Sequence, residues 1–340
     1  MLLYLLRMKN YTVDELDFKI GGGEQEQSRT RKIFEDLKDR ATAGKSLLER
    51  EKDFLYMGLK LSDFDDGNPE DFRACDDNIF KELYLTYFHD NLTEPFYKHK
   101  KGKGIVVVGH QEKIKDFRTL MRVSDVWLNE IKNEKHSDQI LQELGIETRR
   151  DLKTLDLKYP SLKRRFRKYQ DEYRLKKDKI ILQSKFIYLL VKSVIENNDS
   201  EDFEIPFSGE TVEFTIYSLI HIVSRHYAEP MKDNPEKSYH YEHFYPTELH
   251  IDLRNILGEI DKLNLIDVNN TDNIFFKFKG VIYQLWIQKR HKQVKGHAGN
   301  IQIFRVQTFY PIHSEADIKE ITENRDEIAV AEELSLLIAK

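Results

Sequence analysis

Between Ile274 and Ile287 the chain reads Ile-Phe-Phe-Lys-Phe, then Lys-Gly, then Val-Ile-Tyr-Gln-Leu-Trp-Ile. Two runs rich in β-branched and aromatic residues, joined by two residues that include a glycine, fold back on each other as an antiparallel hairpin. A lone hairpin is marginal in water, so this one has to recruit other elements. The flanking sequence supplies them. A further strand runs from Ile301 to Tyr310 and stops at Pro311, which cannot donate to a ladder. Upstream, Thr247 to Asn264 places Leu249, Leu253, Ile256, Leu257 and Ile260 on one side of a helix, with Thr247 at the N-cap. The expected class is α+β: a helical N-terminal region, then two helices packed on an antiparallel sheet.

The other of those two helices is Phe214 to Tyr227. Ile216, Leu219, Ile220, Val223 and Tyr227 form an apolar stripe, three and four residues apart. Ser218, His221 and Arg225 make a second stripe, and His226 lies one step round, near the helix end. That second side offers a proton-transfer group and a permanent cation. An Arg-His pair at a helix C-terminus also suits the macrodipole with no chemistry implied.

The 340 residues suffice for two or three cores. Lys and Arg number 54 against 59 Asp and Glu, a formal net charge of -5, so any attraction to nucleic acid has to be local. The single Cys75 excludes an internal disulfide framework. No apolar run reaches the length of a membrane span, and the opening Met1–Tyr11 lacks the basic flank and cleavage site of a signal peptide. The expectation is a cytoplasmic protein with no membrane contact.

Helical spacing from Thr30 to Leu61 breaks near Thr42-Ala43-Gly44, predicting two helices. Ala43-Gly44-Lys45-Ser46 imitates a phosphate loop, but Asp39 stands where its first glycine belongs and no strand precedes it. The acidic turn Ser62 to Pro69 fails as a calcium loop because Phe64 occupies a ligand position. Asn78 to Tyr87 reads as a helix, Ile105 to His110 as one strand, and Phe117 to Leu144 as helical again. His89-Asp90 lacks partner histidines at a supporting spacing, and the strand lacks the glycines of a dinucleotide turn.

Arg149 to Lys192 is strongly basic and interleaves Phe166, Tyr169 and Tyr173 with its cations. It fits either a nucleic-acid or acidic-partner surface, or a solvated helix whose aromatic rings face a neighbour. Glu196 to Asp202 is a short acidic linker. The expected organisation is a mostly helical region over 1–100, a helical region with one strand and the basic segment over 101–196, a compact unit over 203–313, and an acidic tail over 314–340. The Ala-, Glu- and Leu-rich end of that tail predicts a helix.

Lys289 to Asn300 reads as a long basic loop between strands, with Arg290, Lys292, Lys295 and His297 available to phosphates. Arg290 and His297 also show the loose Arg-x6-His spacing of the HEPN ribonucleases, but that motif belongs on a helix and Gly296 interrupts this one. In the last strand, strict alternation puts Thr308 and Tyr310 on one face and Arg305 and Gln307 on the other.

Helix, helix, hairpin, basic loop and final strand, with His221-Ile222-Val223-Ser224-Arg225-His226 as an HI-x-x-RH segment, resemble the barnase–EndoU–colicin–RelE superfamily of metal-independent ribonucleases. The resemblance covers about Phe203 to His313 and is closest to the phage- and toxin-associated branches. It implies an endoribonuclease, a toxin or anti-phage effector, cleaving RNA by attack of the ribose 2′-hydroxyl with no cofactor. His221 and His226 would move protons, Arg225 would clamp the phosphate, and Thr308 and Tyr310 would orient phosphate or donate a proton. RNA, tRNA among the candidates, would be the substrate. An antitoxin, immunity or sensor protein would meet the N-terminal region. The competing reading is a non-catalytic nucleic-acid-binding or assembly protein on the same fold.

Overall fold

The computed structural model describes residues 10–17, 23–61, 77–88, 97–100, 104–107, 110–133, 137–158, 167–227, 238–293 and 300–340. The protein is α+β, a helical N-terminal region followed by a sheet-rich C-terminal part, and it divides into two compact units. The first comprises 1–189 with Tyr241–His243; the second comprises 190–240 and 244–340.

The first unit contains helices α1 (Glu24–Thr42), α2 (Glu49–Leu61), α3 (Asp77–Phe88), α4 (His110–Lys132), α5 (Gln139–Lys158) and α6 (Arg167–Glu196), the last running on past Leu189 into the second unit. Ile33 and Leu37 of α1, Phe54 and Leu55 of α2, Phe80 and Leu83 of α3, Leu120 of α4, and Leu182 and Phe186 of α6 share one core. Gly44 sits at φ 78 between α1 and α2, which supplies the helix break that the sequence predicts. Ile105 belongs to a hairpin, β1 (Tyr97–Lys100) and β2 (Gly104–Val107), so part of the basic stretch before it is strand. The acidic turn 62–69, His89-Asp90 and Phe166 lie outside the described residues. Among the described residues no helix is long and apolar enough to cross a membrane.

Among the described residues the second unit is a seven-stranded sheet carrying three helices. Its strands are β3 (Glu204–Phe207), β4 (Glu210–Glu213), β5 (Asn273–Phe278), β6 (Val281–Gln293), β7 (Asn300–Pro311), β8 (Arg325–Ala331) and β9 (Leu334–Ala339), in the order β3-β4-β7-β6-β5-β9-β8. Every pairing in it is antiparallel except β4 with β7. The β5–β6 turn has positive φ at Lys279 and Gly280, the two-residue geometry whose twist matches the strands. Alternation sorts the sheet residues into two sets. Phe276, Tyr283 and Phe309 join Phe244 in an aromatic core, with Tyr283 and Phe309 centroids 5.4 Å apart. Ile282, Phe275, Tyr310 and Leu337 instead pack with Ile318 and Ile321 of α9 (Glu315–Asn324).

The helix expected over 247–264 is α8 (Leu249–Asp261), which buries Leu249, Leu253, Ile256, Leu257 and Ile260 as the spacing requires, together with His250. Its N-cap is Glu248 rather than Thr247, and no side chain caps it. The tail does not end in a helix. After α9 it returns as the β8–β9 hairpin, and Leu334, Leu336 and Leu337 are buried against β5. Helix propensity in this segment yields to strand pairing and apolar burial. The presumed basic loop is likewise shorter, because β6 continues to Gln293 and β7 starts at Asn300. Glu196–Asp202 leads into a 3-10 turn whose Asp202 carboxylate meets Arg254 of α8 at 3.4 Å.

Candidate active site

The helix α7 (Ile216–His226) follows directly from β4, and Thr215 caps it by accepting from the Ser218 amide. β4 pairs with β7 only at Phe304 and Arg305. Beyond that point side chains take the place of a strand. The Ser218 hydroxyl donates to the Val306 carbonyl at 2.6 Å, and the His240 ring Nε2–H donates to the Phe309 carbonyl at 3.0 Å. Carbonyls left unpaired in this dry edge would each cost about 1–3 kcal/mol. Ser218, on the stripe expected to be open, is therefore fully buried. Arg225 is also buried, with 9% exposed. The half-buried side of α7 instead carries Tyr217, His221 and Ser224.

The structure brings three of the five predicted catalytic residues together. His226 lies with Nε2 3.1 Å from the Thr308 hydroxyl and its ring stacked on Tyr310, centroids 4.8 Å apart and planes 15° from parallel. Its Nδ1 is 3.0 Å from the Ser238 carbonyl, and its own carbonyl accepts from the His240 amide at 3.0 Å. A carbonyl only accepts, so the Ser238 bond requires the proton on Nδ1. In the neutral ring Nε2 is then an acceptor facing the Thr308 hydroxyl. The Tyr310 hydroxyl donates to Gln284 Oε1 at 2.6 Å. Burial, reinforced by the Asp317 carboxylate of α9, raises its pKa above the usual 10.0 and keeps the phenol protonated. His240 is almost wholly buried, with its ring stacked on Tyr227 at 4.5 Å.

His221 belongs to a different group. Its ring stacks on Tyr217, centroids 5.6 Å apart and planes 13° from parallel. The Arg305 guanidinium lies 3.9 Å over the Tyr217 ring and donates to Gln307 Oε1 at 2.8 Å, while Gln307 Nε2 donates to the Tyr217 hydroxyl at 2.6 Å. Sequence reasoning missed Tyr217, Arg305 and Gln307 because alternation sets Arg305 and Gln307 opposite Thr308 and Tyr310. A bulge breaks that alternation: Trp286 pairs with Thr308 and Ile287 with Val306, which leaves Gln307 as the extra residue. An extra residue bends the strand and re-aims its side chains, so Arg305, Gln307, Thr308 and Tyr310 all reach α7. No periodicity in the sequence marks this bulge.

Arg290 is exposed on β6 and its Nε donates to Gln288. Lys292 lies on the same strand, paired with Ile301. Lys295 and His297 are outside the described residues. Among the described residues, no three His, Cys, Asp or Glu side chains are grouped so that they could hold a metal ion. Compared with protein-family models, curated proteins and solved structures, the chain finds no match.

Proposed function

We propose that this protein is a metal-independent endoribonuclease, a toxin or anti-phage effector acting in the cytoplasm, whose reaction centre is His226. The supporting observation is the pair of opposed contacts on one imidazole: Nδ1 held by the Ser238 carbonyl and Nε2 presented to the Thr308 hydroxyl. A ring anchored by a carbonyl at Nδ1 and facing an exchangeable hydroxyl at Nε2 can act as a proton-transfer unit, and an imidazole ordinarily titrates near neutral pH. Nε2 takes the proton of a ribose 2′-hydroxyl, the 2′-oxygen bonds to phosphorus, and the bond to the 5′-oxygen breaks. The leaving oxygen then takes a proton from the His226 imidazolium. The products are a 2′,3′-cyclic phosphate and a free 5′-hydroxyl. Thr308 orients the imidazole, and Tyr310, kept neutral by burial and with its hydroxyl engaged by Gln284, supports the ring from its face. RNA would be drawn in by Arg290 and Lys292 of β6 and by Lys295 in the sequence that follows it.

A second reading, a non-catalytic RNA-binding or assembly module, is favoured by the burial of Arg225, since a phosphate clamp has to be reachable. The two separate on incubation of total RNA with the intact chain in excess EDTA. The ribonuclease produces cyclic-phosphate ends, whereas the module leaves the RNA intact. A requirement for magnesium would remove the metal-independent mechanism.

A further inference from the structure

The Tyr217 group has no part in the proton transfer described for His226, yet its central ring is as closely held. The Tyr217 ring is held by three separate contacts: the Arg305 guanidinium over its face, the Gln307 amide on its hydroxyl and the parallel His221 ring four residues on. Arg305 is itself nearly buried, and a cation in that position is not spread over solvent. Tyr217 and His221, by contrast, are only half-buried. Core packing needs no such bracing of a partly open ring. A free surface tyrosine loses rotamer freedom when something stacks on it, whereas a ring already fixed has little left to lose. The electrostatics favour the same use. A guanidinium on a tyrosine face withdraws from its π-cloud, which suits stacking with an electron-rich purine or pyrimidine.

Position links this group to the reaction centre. Arg305 and Gln307 precede Thr308 on the same bulged strand, and Tyr217 and His221 precede His226 on the same helix. Both elements thus lead from the ring pair towards His226. We infer that the Tyr217–His221 pair is a base-stacking subsite for single-stranded RNA, taking the nucleotide next to the one whose phosphate reaches His226. This inference rests on the ribonuclease reading for its substrate, but it assigns His221 to binding and not to proton transfer.

The test uses the intact chain carrying His226→Gln and a single-stranded RNA hexamer containing 2-aminopurine. Binding should quench the fluorescent base. Tyr217→Leu should abolish the quenching and weaken binding about 5- to 100-fold, the range observed when a stacking ring is removed. The slope of log K against log salt should not move, because every cation that meets a phosphate is still in place. Tyr217→Trp, which keeps an aromatic face, should restore the quenching even if Tyr217→Leu proves too unstable to read. Unchanged affinity and quenching in Tyr217→Leu, or no recovery with Tyr217→Trp, would overturn the subsite while leaving the ribonuclease reading intact. Ring-dependent quenching in a protein that never cuts RNA would keep the subsite and remove the ribonuclease. Absence of any RNA binding would remove both.

Discussion

His250 provides a quantitative test of the sheet unit's packing. Its side chain on α8 is fully buried, stacked on Phe203 with centroids 4.6 Å apart, and among the described residues neither ring nitrogen has a hydrogen-bond partner. Burial therefore disfavours the imidazolium and lowers the pKa below the usual 6.5, despite Asp202 and Glu248, which pull it upward; Arg254 adds to the lowering. Because the folded pKa is below the unfolded one, the unfolded chain takes up the proton first. Stability is intact above pH 6.5 and falls as pH drops through 6.5 towards the folded value. One such group costs at most about 1.4 kcal/mol per pH unit, or about 2 kcal/mol between pH 7.5 and pH 5. His250→Phe keeps the ring against Phe203 and removes the titration, together with a donor and an acceptor that have no partner. The variant should match or exceed the parent at pH 7.5 and lose less on acidification, by no more than about 2 kcal/mol. Urea unfolding in a Trp127→Phe background, where Trp286 reports on the sheet unit, measures both values. Equal losses from pH 7.5 to pH 5 in parent and variant would mean that His250 does not carry this pH dependence.

Ser218→Ala should destabilise the sheet unit by about 1–3 kcal/mol, since the Val306 carbonyl loses its hydroxyl donor, and denaturant midpoints check this. His226→Gln should lower RNA cleavage by about 10²- to 10⁴-fold, the usual worth of a positioned proton-transfer group, with circular dichroism unchanged. His221→Ala should lower it far less and act on affinity. Lys292→Ala combined with Lys295→Ala should make the salt dependence of RNA binding shallower, by about 0.7 in slope for each single-strand phosphate that the two lysines neutralise. An unchanged slope would mean the β6–β7 hairpin does not follow the RNA backbone.

Much of the sheet unit was legible from local pattern. The β5–β6 hairpin, the strand ending at Pro311 and the buried face of α8 each follow from spacing and turn chemistry within a few residues. The β8–β9 hairpin was not, because Leu334–Ala339 joins the sheet through its pairing with β5, a partner far away in sequence, as well as with β8. The site divides in the same way. His226, Thr308 and Tyr310 stand out as residue types, while their contacts come only with the fold. Arg225 and Ser218 are misplaced by a two-faced stripe, because a helix beside a strand edge is enclosed on more sides than such a stripe allows. Arg305 and Gln307 escape notice because one bulge at Gln307 resets the alternation on which facing is judged, and Tyr217 is known only through its contacts with them.

The proposed reaction requires His226 to move protons on RNA without metal. The most direct measurement is the rate of RNA cleavage by the intact chain in excess EDTA, compared with that of His226→Gln, with product ends mapped. The proposed ribonuclease should give 2′,3′-cyclic phosphate ends from the parent and a loss of at least about 100-fold in the variant. Cleavage that needs magnesium, or that proceeds at the parental rate in His226→Gln, would contradict it.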